Sequence, residues 1–397
     1  MADRVRTAVM YAQDSQGLGH INRTLTIARG LLGVHPDLVV YLLTKSPITR
    51  LFVLPERCDY IKLPTRLTPE GIAQSTAERD AARERFRRLR SQLLTDAVLG
   101  LAPDLVLVDH EPLGYAGELS DGLWTLKRQC PGTRLVLGLR DIMDHPVRIR
   151  AQWRELGVYP ALEQLYDGIA LFGLRRLYDV VRAYDLAPAV EAKLHDCGYI
   201  VRPPPSPDAA ALRREVDLAE TGPLVVAAVG SGSDGYAVLA ATLAALGQRT
   251  DVQAVLVTGP FMPAAERAEL RARARENVRV LERADTYAWM AAADAIVTMG
   301  GYNSVYEALA AGKRPPVIVP RATHKVEQRI RAEMLAAHGL ARVVSPGVLD
   351  GDTLADALEW ALGCDPAVHR QRTRRELSFD GAERATEYLD RWLGRTP

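Results

Sequence analysis

The sequence predicts an α/β protein made of two tandem, doubly wound domains, each a parallel sheet covered by helices. Short apolar runs alternate with helical patterns in both halves of the 397-residue chain. The runs end at turn residues, as expected for strands that are buried on both faces of a parallel sheet. Midway, the stretch 201–207 contains four prolines, which fit neither a helix interior nor an inner strand.

In the first half, the pattern predicts strands over 7–11, 38–43, 105–108 and 135–139, and helices over 21–32 and 76–99. In the second half, it predicts strands over 224–229, 252–258, 278–281, 295–297, 317–319 and 342–344. Helical patterns separate these later strands, over 237–246, 264–275, 286–292, 304–311, 326–338 and 353–362. Repeated β-α units of this kind form open parallel sheets.

We therefore expect four segments. Residues 1–200 form the first domain, 201–207 a linker, 208–365 the second domain, and 366–397 a helical segment that packs back on the first domain. Paired domains of this class bind ligands in the cleft between them, at the carboxyl ends of their strands.

Bulk composition excludes several classes of function. The chain has 50 Lys and Arg against 49 Asp and Glu, without the basic excess of a nucleic-acid-binding protein. It has neither an apolar run of about 20 residues nor a signal-peptide pattern. Its four cysteines lack metal or redox spacing. These features predict a soluble cytoplasmic protein; they leave peripheral membrane contact and oligomeric state open.

The segment 298–307 carries the strongest functional signal. A glycine pair, Gly300 and Gly301, follows a predicted strand and precedes a helix, where backbone N–H groups attract phosphate. Ser304 and Glu307 share one helix face, so that Glu307 could reach a sugar attached to that phosphate. The alternative is a capping box, in which Ser304 and Glu307 satisfy only the helix start.

Two other glycine loops open helices. Gly17 and Gly19 precede His20, whose imidazole should stay neutral at a helix N-terminus and could act as a general base. Packing or capping is the alternative for His20. The loop Gly230–Gly235 fits G-x-G-x-x-G, but no carboxylate ends the next strand, so it predicts a phosphate loop rather than a dinucleotide site. Asp109 ends a buried strand, where it could orient His20.

The run 301–307 resembles the donor-binding signature of GT-B nucleotide-sugar glycosyltransferases, and the resemblance continues through 310–316 to Glu327 and Gln328. The layout is most similar to the branch with the bacterial transferase that adds N-acetylglucosamine to peptidoglycan lipid. The loops at 17–20 and 230–232 match that branch's two glycine loops. Met299 stands where the plant-type signature has a phosphate-binding histidine, so Arg321 or Lys325 could assist instead.

The resemblance implies two Rossmann-like domains and a role for each matching residue. Glu307 would bind the donor ribose, and Glu327 and Gln328 the donor sugar. His20 would deprotonate the acceptor, assisted by Asp109. The groups expected around the diphosphate and base are Gly17, Gly19, Gly230, Ser231, Gly232, Ser233, Arg283, Gly300, Gly301, Asn303 and Ser304.

The resulting hypothesis is an inverting glycosyltransferase that uses neither metal nor cofactor. It would move a hexose, N-acetylglucosamine or a related sugar, from a UDP-sugar to a hydroxyl or amine of a small molecule, in natural-product biosynthesis. Two alternatives remain open: a UDP-sugar 2-epimerase of the same architecture, and a nucleotide-binding scaffold without activity.

Overall fold

The computed structural model describes residues 5–13, 19–46, 53–64, 76–247, 249–322 and 326–394, with the backbone alone over 76–79. The chain forms two compact units. The first comprises Met1–Ile200 together with Asp380–Pro397, and the second comprises Val201–Phe379.

The first unit contains a seven-stranded parallel sheet with the strand order β3-β2-β1-β4-β5-β6-β7. Its strands are β1 (Arg6–Ala12), β2 (Leu38–Thr44), β3 (Cys58–Lys62), β4 (Leu105–Asp109), β5 (Arg134–Arg140), β6 (Gly168–Phe172) and β7 (Leu194–Asp196). The order reverses beside β1, where β2 and β4 flank the first strand. Side chains that follow β1 and β4 therefore lie at a switch point, where open α/β sheets place their sites.

The helices of this unit are α1 (Gly19–Val34), α2 (Thr76–Leu101), α3 (Ser120–Gln129), α4 (Pro146–Glu155), α5 (Val158–Gln164), α6 (Val180–Tyr184) and α7 (Pro188–Glu191). One more helix, α16 (Gly381–Leu393), comes from the end of the chain and packs on α1. The two helices approach closely because Gly30 lacks a side chain: a Cβ there would lie 2.2 Å from Oγ1 of Thr386.

The second unit contains a six-stranded parallel sheet with the order β10-β9-β8-β11-β12-β13. Its strands are β8 (Leu224–Ala228), β9 (Gln253–Val257), β10 (Val278–Leu281), β11 (Ala295–Thr298), β12 (Val317–Ile318) and β13 (Arg342–Val343). Its helices are α8 (Ala209–Glu215), α9 (Tyr236–Leu246), α10 (Ala264–Arg273), α11 (Thr286–Ala292), α12 (Tyr302–Ala311), α13 (Glu327–Ala337), α14 (Gly351–Gly363) and α15 (Pro366–Glu376). The order reverses beside β8, where β9 and β11 flank it.

The inner strands of both sheets are buried on both faces, which explains why they are almost entirely apolar. In β1, Ala8 and Met10 enter one core while Val9 and Tyr11 enter the other. The strand β8 divides its side chains in the same way between two cores of the second unit. Each strand can therefore be apolar at every position and still alternate between faces.

The predicted α/β class, with two parallel sheets, is confirmed. The sequence analysis missed β3, β6 and β7. Edge strand β3 is partly exposed and β7 has three residues, so neither gives a long apolar run. Residues 201–208 have no regular secondary structure, and the second unit extends past residue 365 to include α15. No helix in the described ranges is long and apolar enough to cross a membrane.

Candidate functional site

The glycine pair after β11 forms the tight connection to α12. Gly300 has a φ of +85°, and a Cβ there would lie 3.1 Å from Ile318 and 3.2 Å from the Gln328 carbonyl. Gly301 has an ordinary φ of −60° and is the N-cap of α12, with nothing within 4 Å of the position a Cβ would take. The backbone thus turns sharply at Gly300 and leaves open space at Gly301.

The N-cap residue of α12 is Gly301, which has no side chain that could cap the helix. Ser304 is the third residue of the helix rather than its N-cap, so the capping-box alternative is wrong. Elsewhere in this unit, aspartates cap helix starts: Asp208, Asp285, Asp350 and Asp365 each accept backbone N–H groups. At α12 the N-cap is a glycine, which supplies no side-chain acceptor, and the first N–H groups of a helix are the groups that bind anions. Asn303 and Ser304 lie beside them, half-buried.

The loop after β8 leads into α9, whose N-cap, Gly235, also lacks a side-chain cap. Gly230 and Gly232 have φ values of +66° and +92°. A Cβ at Gly232 would lie 2.0 Å from the Thr258 carbonyl oxygen, whereas at Gly230 it would meet nothing within 4 Å. The backbone carbonyl of Ser231 accepts the Phe261 N–H at 2.9 Å, and the hydroxyl of Ser233 donates to Oδ1 of Asp234 at 3.4 Å. The loop is therefore packed against β9 at one glycine and open at the other.

Glu307 lies on α12, and its side chain is 13% exposed. Arg202 donates from Nε to its Oε1 at 3.2 Å. The Arg202 guanidinium also lies 5.2 Å from the Tyr287 ring centroid, and the Tyr287 hydroxyl donates to the Arg202 carbonyl at 3.0 Å. Burial raises the pKa of Glu307, and the Arg202 cation opposes this rise. Glu307 is thus a partly buried carboxylate held by one arginine.

The start of α13 presents the two residues expected at the donor sugar. Gln328 is buried and accepts the Arg321 N–H through Oε1 at 3.1 Å. Oε2 of Glu327 is buried and has no hydrogen-bond partner in the described part of the chain. A buried acceptor without a donor is costly, and a ligand hydroxyl would satisfy it. Arg321 pairs with Asp234, Nε to Oδ2, at 2.5 Å, which links this region to the α9 loop.

Two further arginines flank this region. Arg283, expected near the nucleotide base, follows β10 and is exposed. Arg331 is fully buried in α13 and donates from Nη1 to the Gly300 carbonyl at 2.7 Å. Its guanidinium lies 5.7 Å from the Tyr302 ring centroid. Arg331 therefore holds the backbone of the glycine pair in place through the Gly300 carbonyl.

In the first unit, His20 and Asp109 meet as expected. His20 follows Gly19, the first residue of α1, and its Nδ1 lies 2.5 Å from Oδ2 of Asp109, which ends β4. Asp109 is 1% exposed. Burial alone would raise its pKa, but the positive charge of Arg23 and the contact with His20 outweigh burial, so the pKa of Asp109 is lowered. An ionised Asp109 requires a proton on Nδ1 of His20, which leaves Nε2 able to accept one.

The residue after Asp109 completes this arrangement. His110 has a φ of +74°, a backbone conformation that side chains rarely adopt. Its ring centroid lies 4.9 Å from that of His20, with the rings tilted by 45°. Unusual backbone conformations of this kind cluster at functional sites.

The sequence analysis missed Arg23, Arg202 and Arg331, because a lone arginine carries no periodic or motif signal. Gly17, one of the predicted donor-loop glycines, lies outside the described residues, as does Lys325.

The described residues contain no group of three or more His, Cys, Asp or Glu side chains arranged to hold a metal ion. The chain has one Asp-x-Asp sequence, Asp350-Gly351-Asp352. Asp350 accepts the Thr353 N–H at 2.8 Å as the N-cap of α14. In this structure the Asp-x-Asp sequence therefore lies at the start of α14, where Asp350 caps the helix.

Residues 226–375 match the family described as glycosyltransferase family 28 C-terminal domain. The match covers most of the second unit, including both glycine loops of that unit and Glu307. No curated protein matches the sequence.

Solved structures resemble the chain over nearly its whole length. The glycotransferase of kitacinnamycin is 21% identical with a TM-score of 0.67, and the alignment covers 98% of this chain and all of that one. The calicheamicin glycosyltransferase CalG4 is 19% identical, with a TM-score of 0.66 and full coverage of both chains. MurG of Acinetobacter baumannii is 15% identical, with a TM-score of 0.61 and coverage of 97% and 99%. These similarities show that the fold is GT-B.

Proposed function

We propose that this chain of GT-B fold is a glycosyltransferase with a family 28 C-terminal domain, and that it transfers a hexose from a UDP-sugar to a small-molecule acceptor with inversion. The second unit binds the donor and the first supplies the base. The observation that carries the proposal is the start of α12, where the N-cap Gly301 has no described residue within 4 Å of a Cβ position and Glu307 lies six residues further along the same helix.

The donor diphosphate binds at this helix start. Backbone N–H groups of α12 and the hydroxyl and amide of Ser304 and Asn303 donate to its oxygens, together with the loop of Gly230, Ser231, Gly232 and Ser233. Negative charge grows on the diphosphate as the sugar leaves, and fixed donors stabilise that charge without having to reorganise. In this proposal they do so without a metal ion.

The ribose and the sugar are recognised by carboxylates. Glu307 accepts hydrogen bonds from the ribose hydroxyls, because a partly buried carboxylate is a strong acceptor for a diol. Oε2 of Glu327, which has no donor among the described residues, accepts a hydrogen bond from a sugar hydroxyl. Gln328 contacts the same sugar, and Arg283 lies near the base.

His20 takes the acceptor proton at Nε2. Asp109 holds Nδ1–H and stabilises the imidazolium that forms. The deprotonated acceptor oxygen or nitrogen forms a bond to the anomeric carbon while the bond to the diphosphate breaks. One displacement inverts the configuration at that carbon.

N-acetylglucosamine is the sugar favoured by the resemblance to the peptidoglycan branch. The acceptor proposed is a small natural product, as the names of the kitacinnamycin and calicheamicin transferases indicate for those two proteins. A panel of nucleotide sugars and acceptors tests both the sugar and the acceptor proposed here.

Calorimetric titration with UDP and a panel of nucleotide sugars tests the donor. We expect micromolar binding of at least one UDP-sugar; absence of binding by every nucleotide would overturn the proposal. The bound donor is then incubated alone and with acceptors. Transfer to an acceptor supports the proposed reaction, an epimer formed from donor alone indicates the epimerase, and binding without either product indicates the scaffold.

A further inference from the structure

Arg23 is a buried arginine that the proposed reaction does not yet use. It lies on α1 three residues after His20, so both side chains project from one face of the helix. Only 4% of Arg23 is exposed, and its guanidinium lies 5.2 Å from the Phe172 ring centroid. A buried guanidinium is costly unless it is paired and hydrogen-bonded.

The partner of Arg23 is Asp109, and the contact is a two-point fork. Nε donates to Oδ1 at 2.9 Å, and Nη2 donates to Oδ2 at 2.8 Å. Oδ2 is also the atom that His20 contacts through Nδ1 at 2.5 Å. Arg23 and His20 therefore share one carboxylate oxygen, with Nη2 and Nδ1 only 3.0 Å apart.

This fork fixes the plane of the carboxylate and determines which lone pair remains for the imidazole. It also places a guanidinium cation against the negative charge of Asp109 on the side away from the free lone pairs of that carboxylate. The imidazole then meets a carboxylate whose position and orientation are already set.

We propose that Arg23 is a positioning residue that orients Asp109 and keeps the His20–Asp109 pair ready to accept a proton. The proposal rests on the proposed function, because it takes His20 as the base. A merely structural ion pair would affect folding stability, whereas a positioning residue also changes turnover at unchanged donor affinity.

Arg23→Lys keeps the charge and removes the fork. A matched control is Arg6→Lys: Arg6 forms the same fork on Asp37, with both contacts at 2.6 Å, at the amino end of β1. We expect Arg23→Lys to lower kcat by roughly tenfold to a hundredfold, as misplacement of a base does, with the donor KM within twofold. Arg6→Lys should leave kcat unchanged. Equal kcat in the two variants would overturn the proposal.

A double-mutant cycle shows whether Arg23 acts through His20. In a His20→Ala background, Arg23→Lys should cause no further loss of residual turnover, because the group that it positions is gone. An additive loss would mean that Arg23 acts independently of His20.

Nitrogen NMR of the histidine rings tests the same idea without any turnover, and His20→Gln assigns the signals. Among the described residues, the titratable groups around the His20 ring are Asp109, Arg23 and His110. We expect the wild-type Nδ1 signal to show the hydrogen bond to Asp109. In Arg23→Met the carboxylate loses its fork, so the ring signals should shift as this hydrogen bond changes. If the enzyme transfers no sugar, the proposed function fails alone; if the ring signals do not change in Arg23→Met, the positioning role fails.

Discussion

Arg202 and Glu307 form an ion pair within the second unit, Nε to Oε1 at 3.2 Å, although Arg202 lies in the proline-rich stretch and Glu307 on α12. The carboxylate proposed to bind the ribose therefore already accepts one hydrogen bond, from Arg202, in the absence of a nucleotide sugar. The Arg202 cation opposes the rise that burial causes in the pKa of Glu307 and so favours the ionised carboxylate, which is the form that accepts hydrogen bonds from a diol.

Replacing Glu307 with Gln should weaken donor binding. The variant keeps the shape and loses the charge, and a hydrogen bond to a charged group contributes about 1.5–3 kcal/mol. We expect the dissociation constant for the best UDP-sugar to rise roughly tenfold to a hundredfold, measured by calorimetry. Glu359→Gln, at an exposed glutamate of the same unit, is the control. An unchanged constant would refute the ribose role of Glu307.

Arg202→Met should make donor binding more sensitive to acid. The charged and polar groups around Glu307 are Arg202, Asp285 and Tyr287. The pKa of Glu307 is already raised, so wild-type affinity should decline as pH falls through that raised value. Without Arg202 the pKa rises further, and the loss of affinity should begin at higher pH. Titrations from weakly acid to neutral pH measure this, and Glu307→Gln should show no such dependence. Overlapping wild-type and Arg202→Met curves would contradict the prediction.

The two glycines before α12 should respond differently to alanine. Gly300→Ala places a Cβ at φ +85° and within 3.1–3.3 Å of three atoms, so we expect a loss of about 1 kcal/mol or more and a lower melting temperature.

Gly301→Ala adds a methyl group in open space at an ordinary φ, so its melting temperature should stay within about 1 °C of wild type. Its donor affinity should nevertheless fall at least tenfold, because the methyl group occupies the space that the diphosphate needs. Full affinity in Gly301→Ala would place the diphosphate elsewhere.

His369 should make the protein less stable in acid. It is buried in α15, and burial lowers its pKa from 6.5 to about 4. The folded state therefore favours the neutral ring: this contribution is complete above pH 6.5 and is lost as pH falls toward about 4. At about 1.4 kcal/mol per pKa unit, the loss reaches up to about 3 kcal/mol. Urea unfolding of His369→Met should show a weaker pH dependence. His145→Gln, at an exposed histidine, should keep the wild-type dependence, and equal slopes for all three proteins would exclude the role of His369.

Turnover should persist after metal chelation. The proposed leaving-group stabilisation comes from helix N–H groups and hydroxyls, so EDTA followed by gel filtration should change kcat by less than twofold. Restoration of a lost activity by Mg²⁺ or Mn²⁺ would show that a cation is required.

The sequence predicts the sheets well because strands buried on both faces are apolar at every position. In the second unit, β8 and β12 have this pattern throughout and β11 has it up to its last residue, and glycine turns follow β8 and β11. The short strands β10 and β13 each include an arginine and were recognised from the apolar residues beside it. The buried strand β6 has the pattern but was not predicted. The strand β3 and the short strand β7 leave no such pattern, because exposure allows polar residues in them.

Site residues that belong to a sequence motif could be predicted. Charged residues that pair only because the fold brings distant segments together could not. Asp109 was expected near His20 because it ends a buried strand, and the carboxyl ends of such strands line sites of this kind. In the sequence, Arg23 occupies an ordinary polar position of an amphipathic helix. Arg202 lies in the stretch predicted to be a linker. Their partners lie 86 and 105 residues away, a separation at which one sequence gives no pairing signal.

The first unit is discontinuous in sequence. Helix α16 adds Leu389 and Leu393 to a core whose other parts come from residues up to Ile200. The chain thus leaves this unit once and returns, so that Val201–Phe379 is an insertion with two covalent junctions. A fragment that stops at residue 200 would lack part of its own core. On the proposal that the second unit binds the donor, a swap of donor preference calls for exchange of residues 201–379 as one piece, with the C-terminal helix of the recipient kept.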